Sequence, residues 1–177
     1  MTSPFVVPDA DAPRLSHIVS SPIGRLLLLG DEHALTGLWM IDAERHTARF
    51  DEAGLTPDPA AFREVAGQLE AYFADDLKEF TVPLAPSGTP FQLAVWTELT
   101  KIPYGSTVSY GDIARALGKR LVASRAVGLA NGSNPISVIV PCHRVIGSDG
   151  SLTGYGGGLE RKEQLLRLEG AGPVTLW

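Results

Sequence analysis

The chain of 177 residues has one cysteine, Cys142, and four histidines, at positions 17, 33, 46 and 143. A single thiol forms no intramolecular disulfide, and histidines so scattered offer no zinc-ligand cluster. Long apolar runs are also missing. No stretch approaches the roughly 20 residues of a membrane helix, and the N-terminal MTSPFVVPDADAP has neither the basic start nor the unbroken apolar segment of a secretory signal. These absences lead to the expectation of a globular cytoplasmic protein, in a reducing compartment where a lone thiol stays free. Phosphate-loop and dinucleotide fingerprints are absent as well: GYGGG (154–158) fails because Leu159 stands where the third glycine is needed. A nucleobase deaminase would need a second cysteine in P-C-x-x-C, and that position is Val145.

What is present is unevenly distributed. Residues 1–89 hold 6 Lys+Arg against 14 Asp+Glu, a net −8, and residues 90–177 hold 9 against 6, a net +3; together these give the chain's −5. The change of sign falls at VPLAPSGTP (82–90), whose prolines and glycine favour extended backbone. We therefore expect two domains, residues 1–85 and 86–177. With 44% hydrophobic residues there is enough apolar material for real cores.

In the first domain, the segment 17–40 reads as a small antiparallel sheet broken by turn signals. A helix follows, with Phe62, Val65, Leu69, Tyr72 and Phe73 at helical spacing. Trp39, Tyr72 and Phe73 are expected in the core, and DAERHTARFDE (42–52) as a solvated loop.

In the second domain, Thr89 and Pro90 open a helix that presents Phe91, Val95, Trp96 and Leu99 on one face. Ser109-x-x-Asp112 forms a capping box for a short helix with Ile113 and Leu117 inward, ended by Gly118. LVASRAVGLANG (121–132) supplies another helix, and the pair makes a helix-turn-helix candidate. Ala123, Ala126 and Ala130 lie near one face with Gly128 beside them, and Arg125 is the only long charged side chain. Such a face suits close approach to a groove about 6 Å wide, although core packing explains the alanines equally well.

ISVIV (136–140) reads as a buried strand stopped by Pro141, placing Cys142 just beyond its end, and Asp149-Gly150 reads as a hairpin turn. Thiolate formation needs a base or cation nearby; His143 and Arg144 follow directly in the chain. A carboxylate to orient the histidine could be Glu169, in the last turn of the final helix. Spacing leaves open whether it reaches His143 or is a solvated terminal residue.

PCHRVIG, with NP upstream, SRAVG and SYGDIA before it and LTGYGGGLERKEQLL after it, resembles the O6-alkylguanine-DNA alkyltransferases, also called methylated-DNA-protein-cysteine methyltransferases. The resemblance runs from about Pro90 to Gly170 and extends to SSPIGRLLLLGDEHALTGLWM in the first domain. It implies an α+β fold: a small antiparallel sheet with a helix, then a helical, winged helix-turn-helix-like domain carrying the reactive cysteine. It also implies single-turnover repair of alkylated double-stranded DNA by a monomer, with no metal and no organic cofactor, and leaves cooperative binding and O4-alkylthymine open.

By the same resemblance, Cys142 is the alkyl acceptor, His143 a base acting through water, and Glu169 the group that orients the imidazole. Asn134 braces the segment before the cysteine. Tyr110 turns the target nucleotide out and protonates the leaving purine, and Arg125 fills the vacated space from a helix whose Ala126 and Gly128 face the minor groove. Tyr155 and the Gly156 amide line the base pocket, with the carbonyls of Cys142 and Val145 reading the exocyclic amine. Ser148 and Gly111 touch the DNA backbone. The chain departs from the family in a turn, GKRLVASRAVG, one residue longer than usual. Three other readings remain at this point: a lesion-binding protein without transfer, a Cys-His hydrolase, and a plain DNA-binding protein with a structural thiol.

Overall fold

A computed structural model describes residues 3–41 and 54–171. The expected loop 42–52 and the tail beyond Ala171 lie outside the described residues. The chain divides into two compact units, residues 1–87 and 88–177.

In the first unit, β1 (Leu15–Ser21), β2 (Gly24–Gly30) and β3 (Leu35–Met40) form an antiparallel meander, and the two-residue β4 (Thr56–Pro57) adds in parallel to β1, giving the order β3-β2-β1-β4. Central β2 reads Leu-Leu-Leu-Leu rather than alternating; Leu26, Leu27 and Leu28 are all buried, as befits a strand covered on both faces. Helix α1 (Arg63–Phe73) buries Val65, Leu69 and Tyr72, with Phe62 just before it. Of the three aromatics expected in the core, Tyr72 is fully buried, whereas Trp39 and Phe73 are only half-buried. Phe73 sits in the last turn of α1, one position off the buried stripe, which is why its spacing misleads. The stretch between the units docks before it crosses: Leu35 and Leu84 form a parallel bridge, and Val82, Leu84 and Ala85 are buried.

The second unit is mostly helical. Helix α2 (Pro90–Leu99) opens with Thr89 and Gln92 in a reciprocal capping box, and buries Val95, Trp96 and Leu99. Helix α3 (Tyr110–Ala116) opens with the expected Ser109–Asp112 box. Its C-cap Leu117 is half-buried, and Ala114 joins Ile113 in the core instead. A 3-10 turn, Leu121–Ala123, leads into α4 (Ser124–Gly132), and α5 (Leu159–Leu168) closes the unit. The Trp96 indole N-H donates to the Ala130 carbonyl at 2.8 Å, tying α2 to α4 through a fully desolvated bond.

That bond corrects the reading of the alanine stripe. Val127, Ala130 and Asn131 form the buried side of α4, while Arg125, Ala126 and Leu129 are exposed. At 3.6 residues per turn, positions 127, 130 and 131 share one face and 122, 125, 126 and 129 the opposite one. Ala130 is thus a core residue, and Ala126 alone of the three alanines is fully outward.

ISVIV is buried but is not a strand. The segment turns on itself, with the Val140 amide donating to Ile136 and the Ile139 amide to Ser137. Val138 takes a positive φ of 71°, a strained conformation for a β-branched residue. Asn134 drives the turn: its carboxamide oxygen accepts from the Ile136 amide at 3.0 Å and its nitrogen donates to the Val140 carbonyl at 2.8 Å. A continuous apolar run signals burial on every side, and here a side chain inside the loop rather than a neighbouring strand satisfies the backbone. The Asp149-Gly150 turn is present, with the Gly147 amide donating to Ser151, but no hairpin follows it. The apolar flank Val145–Ile146 (β6) instead pairs in parallel with β5 (Val108–Ser109), just before α3.

Candidate active site

Cys142, His143 and Arg144 form a single 3-10 turn directly after Pro141, and all three are buried. Cys142 is 4% exposed and His143 fully enclosed. Burial pushes the Cys142 thiol above its ordinary range, opposed by an Asn134 hydrogen bond and by the charge of Lys162. Burial pushes His143 the other way, below the usual histidine range, against the pull of Glu169. At neutral pH the pair is therefore a protonated thiol and a neutral imidazole, which is the arrangement a base needs before it acts.

Glu169 is the C-cap of α5 and reaches the imidazole. Its Oε1 lies 2.8 Å from His143 Nε2. The Arg144 guanidinium grips the same carboxylate in bidentate fashion, Nε to Oε2 at 2.9 Å and Nη2 to Oε1 at 3.0 Å. The Gly105 amide adds a bond to Oε2 at 3.3 Å. With Nε2 donating to the carboxylate, the neutral imidazole keeps its lone pair on Nδ1, which is buried and has no protein partner. Arg144 is committed to Glu169 and to the Ile102 carbonyl, at 2.6 Å, so it is a clamp rather than the cation beside the thiol. Removing one member of such a buried pair leaves an uncompensated charge, at a cost of about 3–5 kcal/mol.

The cation near the sulfur is Lys162, which sequence reasoning missed. It is fully buried in α5, and its ammonium donates to the carbonyls of Val145 at 2.6 Å and Thr153 at 2.9 Å. Desolvation lowers its pKa to about 8, and Cys142 works in the opposite direction. A signal was available: Lys162, Leu165 and Leu166 occupy i, i+3 and i+4 on the buried stripe, so a lysine stands at a core position. Asn131 was missed too. It is 2% exposed, and its Nδ2 approaches the Cys142 carbonyl at 3.4 Å. Of the two carbonyls expected to read a base, that of Val145 accepts from Lys162, while that of Cys142 accepts from both the Asn131 side chain and the Val145 backbone amide.

The remaining expected residues differ in exposure. Asn134, Val145 and Tyr155 are buried, and Gly156 is half-buried in the loop before α5. Tyr110 opens α3; its hydroxyl donates to the Thr153 carbonyl at 3.0 Å, and burial raises its pKa so that it stays protonated. A Cβ on Gly128 would lie 3.7 Å from the Tyr110 ring, and one on Gly111 would lie 3.1 Å from Leu121. Both glycines thus sit at close approaches between α3 and the turn and helix that follow. Arg125, Ala126 and Ser148 are exposed. Among the described residues no group of His, Cys, Asp and Glu could hold a metal ion, and no helix is long and apolar enough to cross a membrane.

Fold and site together define a class: a cysteine-centred protein in which a helix-turn-helix pair shares one unit with a buried thiol and its histidine. The comparisons make this particular. Residues 90–171 match the family model for the DNA binding domain of 6-O-methylguanine DNA methyltransferase, and residues 15–86 match that for its ribonuclease-like domain. The chain is 53% identical over 154 residues to a methylated-DNA–protein-cysteine methyltransferase of Methanosarcina acetivorans, spanning 87% of this chain and 97% of that one. It is 54% identical over 151 residues to the Mycobacterium tuberculosis protein of the same name, spanning 85% and 89%. The crystal structure of M. tuberculosis OGT in complex with DNA superimposes with a TM-score of 0.82 at 52% identity, covering 89% of this chain and 93% of that one. The chain belongs to the 6-O-methylguanine DNA methyltransferase family.

Proposed function

We propose that this protein repairs O6-alkylguanine in duplex DNA by direct reversal, accepting the alkyl group on Cys142 once and irreversibly. The observation that carries this reading is the pairing of His143 Nε2 with Glu169, which leaves Nδ1 as the basic nitrogen in a buried site next to the thiol. The thiol proton passes to Nδ1 through one water, and the thiolate attacks the alkyl carbon in line with the leaving oxygen. A C–S bond forms as the C–O bond breaks, and the electron pair returns to the purine, which takes a proton from Tyr110. The histidinium and the phenolate then neutralise each other through solvent. The product is guanine and a thioether, which has no easy hydrolytic exit, so no metal or cofactor is called on and no enzyme is regenerated.

The remaining roles fit this chemistry. Asn134 holds the turn that carries Cys142 and donates a hydrogen bond favouring the thiolate. Lys162 supplies positive charge near the sulfur. Tyr155, Gly156 and the carbonyls of Cys142 and Val145 surround the flipped base, and Arg125, Ala126, Gly128, Gly111 and Ser148 serve the duplex. Flipping costs a few kcal/mol, least for a poorly paired base. A reducing cytoplasm suits a protein whose function depends on one free thiol.

Intact-protein mass spectrometry with peptide mapping tests this. Incubation with a duplex containing O6-methylguanine is expected to add one methylene mass to the Cys142 peptide, one per protein, and none to Cys142→Ala. Unchanged mass in folded protein would leave lesion binding without transfer, and repeated turnover with unmodified sulfur would make it a hydrolase.

A further inference from the structure

The hydroxyl of Tyr110 is held by one residue of the loop before α5, through both of that residue's oxygens. The phenol O-H donates to the Thr153 carbonyl at 3.0 Å, and the Thr153 hydroxyl donates back to the phenol oxygen at 3.4 Å. The other end of the side chain is fixed separately. Tyr110 is the first residue of α3, and a Cβ on Gly128 of α4 would lie 3.7 Å from its ring. Packing does not call for a hydroxyl at position 153: the residue is exposed, and the carbonyl that meets Tyr110 belongs to the backbone and would be there with any side chain.

The two contacts respond in opposite ways when Tyr110 gives up its proton. The O-H bond breaks, the proton joins a purine nitrogen, and the electron pair stays on the phenol oxygen. That oxygen is then an acceptor only, so its bond to the Thr153 carbonyl is lost. The bond from the Thr153 hydroxyl is strengthened, because a hydrogen bond to an oxyanion is shorter and about twice as strong as its neutral counterpart. At 3.4 Å it is long for two oxygens, which ordinarily stand about 2.5–3.0 Å apart, so it contributes little to the resting protein and has room to shorten. A contact that is weak at rest and strong where charge develops stabilises the transition state without deepening the ground state. The vacated carbonyl is not left bare, since the Lys162 ammonium donates to the same oxygen at 2.9 Å. Burial raises the Tyr110 pKa, and the Thr153 hydroxyl opposes that rise.

We infer that Thr153 is a positioning residue for the proton donor: its carbonyl holds the Tyr110 hydroxyl hydrogen until a base is bound, and its side-chain hydroxyl then stabilises the phenol oxygen as the proton leaves. This rests on the reading above, in which Tyr110 protonates the departing purine. The effect is confined to leaving groups that need a proton. A haloacetamide releases halide as a stable anion and requires the Cys142 thiolate but no acid, so the two kinds of substrate separate Thr153 from the thiol site.

The test uses the full chain carrying Thr153→Val, which keeps the shape and removes the hydroxyl, with Thr153→Ser, Tyr110→Phe and the Tyr110→Phe, Thr153→Val double variant. Single-turnover transfer from free O6-benzylguanine is compared with alkylation by chloroacetamide. For Thr153→Val the expected result is benzyl transfer about tenfold slower, the size of one hydrogen bond to a charged group, with an unchanged chloroacetamide rate. Thr153→Ser is expected to restore the benzyl rate, and the valine is expected to change nothing once Tyr110 is phenylalanine, since the hydroxyl works through the phenol. Equal benzyl rates in wild type and Thr153→Val would overturn the inference, as would a chloroacetamide rate that falls in parallel or a loss of the same size without the phenol. A second readout needs no alkyl transfer. Tyrosinate absorbance, taken as the difference between each protein and its Tyr110→Phe counterpart, is expected to place the Tyr110 titration at higher pH in Thr153→Val than in wild type, and coincident titrations would overturn the contact itself. Should wild-type protein react with chloroacetamide but accept no alkyl group from O6-benzylguanine or from a duplex with O6-methylguanine, the repair reading falls instead, and the titration still decides whether the Thr153 hydroxyl bonds Tyr110.

Discussion

The two groups proposed to exchange the proton are displaced in opposite directions by the same cause. Burial holds the Cys142 thiol above its usual range and His143 below its own. The proposed transfer requires His143 to be neutral, and its lowered pKa places the acid-side fall in rate below about 6.5, where an unperturbed histidine would already have lost half its basic form. Single-turnover kinetics with free O6-benzylguanine across pH reads this directly, and a midpoint at 6.5 or above would contradict the burial argument. Stability follows the same sign. Below about 6.5 the unfolded histidine binds a proton that the folded one refuses, so this residue's contribution falls as the medium is acidified from there through the folded value. Lys162 is the second place where charge and burial compete, with a pKa lowered to about 8. Lys162→Met removes the positive charge that favours the thiolate. Its alkylation by a small haloacetamide is expected to shift to higher pH, each unit being about a tenfold loss of thiolate at fixed pH. An unshifted profile in folded variant protein would mean that Lys162 serves the Val145 and Thr153 carbonyls and not the sulfur.

Short turns, more than helices, determine where the reactive groups stand. Ser106 donates its amide to Pro103, and Gly105 within that turn has a φ of 74°, a conformation that favours glycine. A Cβ there would come within 2.7 Å of the Glu169 carbonyl oxygen. Gly105→Ala is therefore expected to cost about 2 kcal/mol or more and to slow alkyl transfer with Cys142 and His143 both intact. A thermal melt combined with single-turnover kinetics checks both effects. The helices that frame these turns were legible in the sequence because their ends are written in side chains: Thr89 with Gln92, and Ser109 with Asp112, close reciprocal caps where the pattern places them. The meander was legible from its turn residues. ISVIV was not, because an apolar run reports burial and says nothing about which groups satisfy its backbone. There the answer lay in Asn134, a residue before the run that bonds into it. Glu169 on His143 could not be decided from spacing because the two residues are 26 apart and meet only through the packing of α5. Lys162 could have been found by treating a lysine on a leucine stripe as an anomaly to be explained.

Taken whole, the chain is an anion of net charge −5 that handles another anion. The exposed cations Lys119, Arg120 and Arg125 allow at most about three phosphate contacts, so the slope of the log association constant against log salt is expected to be no steeper than about −3. A slope near −8 in an anisotropy titration would place DNA on a larger surface than the second unit's basic span. Glu169 has one more consequence. Its carboxylate gathers the Gly105 amide, 64 residues earlier in the chain, and the His143 ring, 26 residues earlier, into one cluster. Contacts that distant carry the loop-closure cost of nearly the entire second unit and are late to form when a chain folds. A molecule still missing its final helix therefore has the sulfur and the histidine but not the carboxylate that orients the imidazole. On the proposed mechanism chemical competence arrives with the last turn of α5, so a protein that can be used only once is kept from being consumed before that helix is in place.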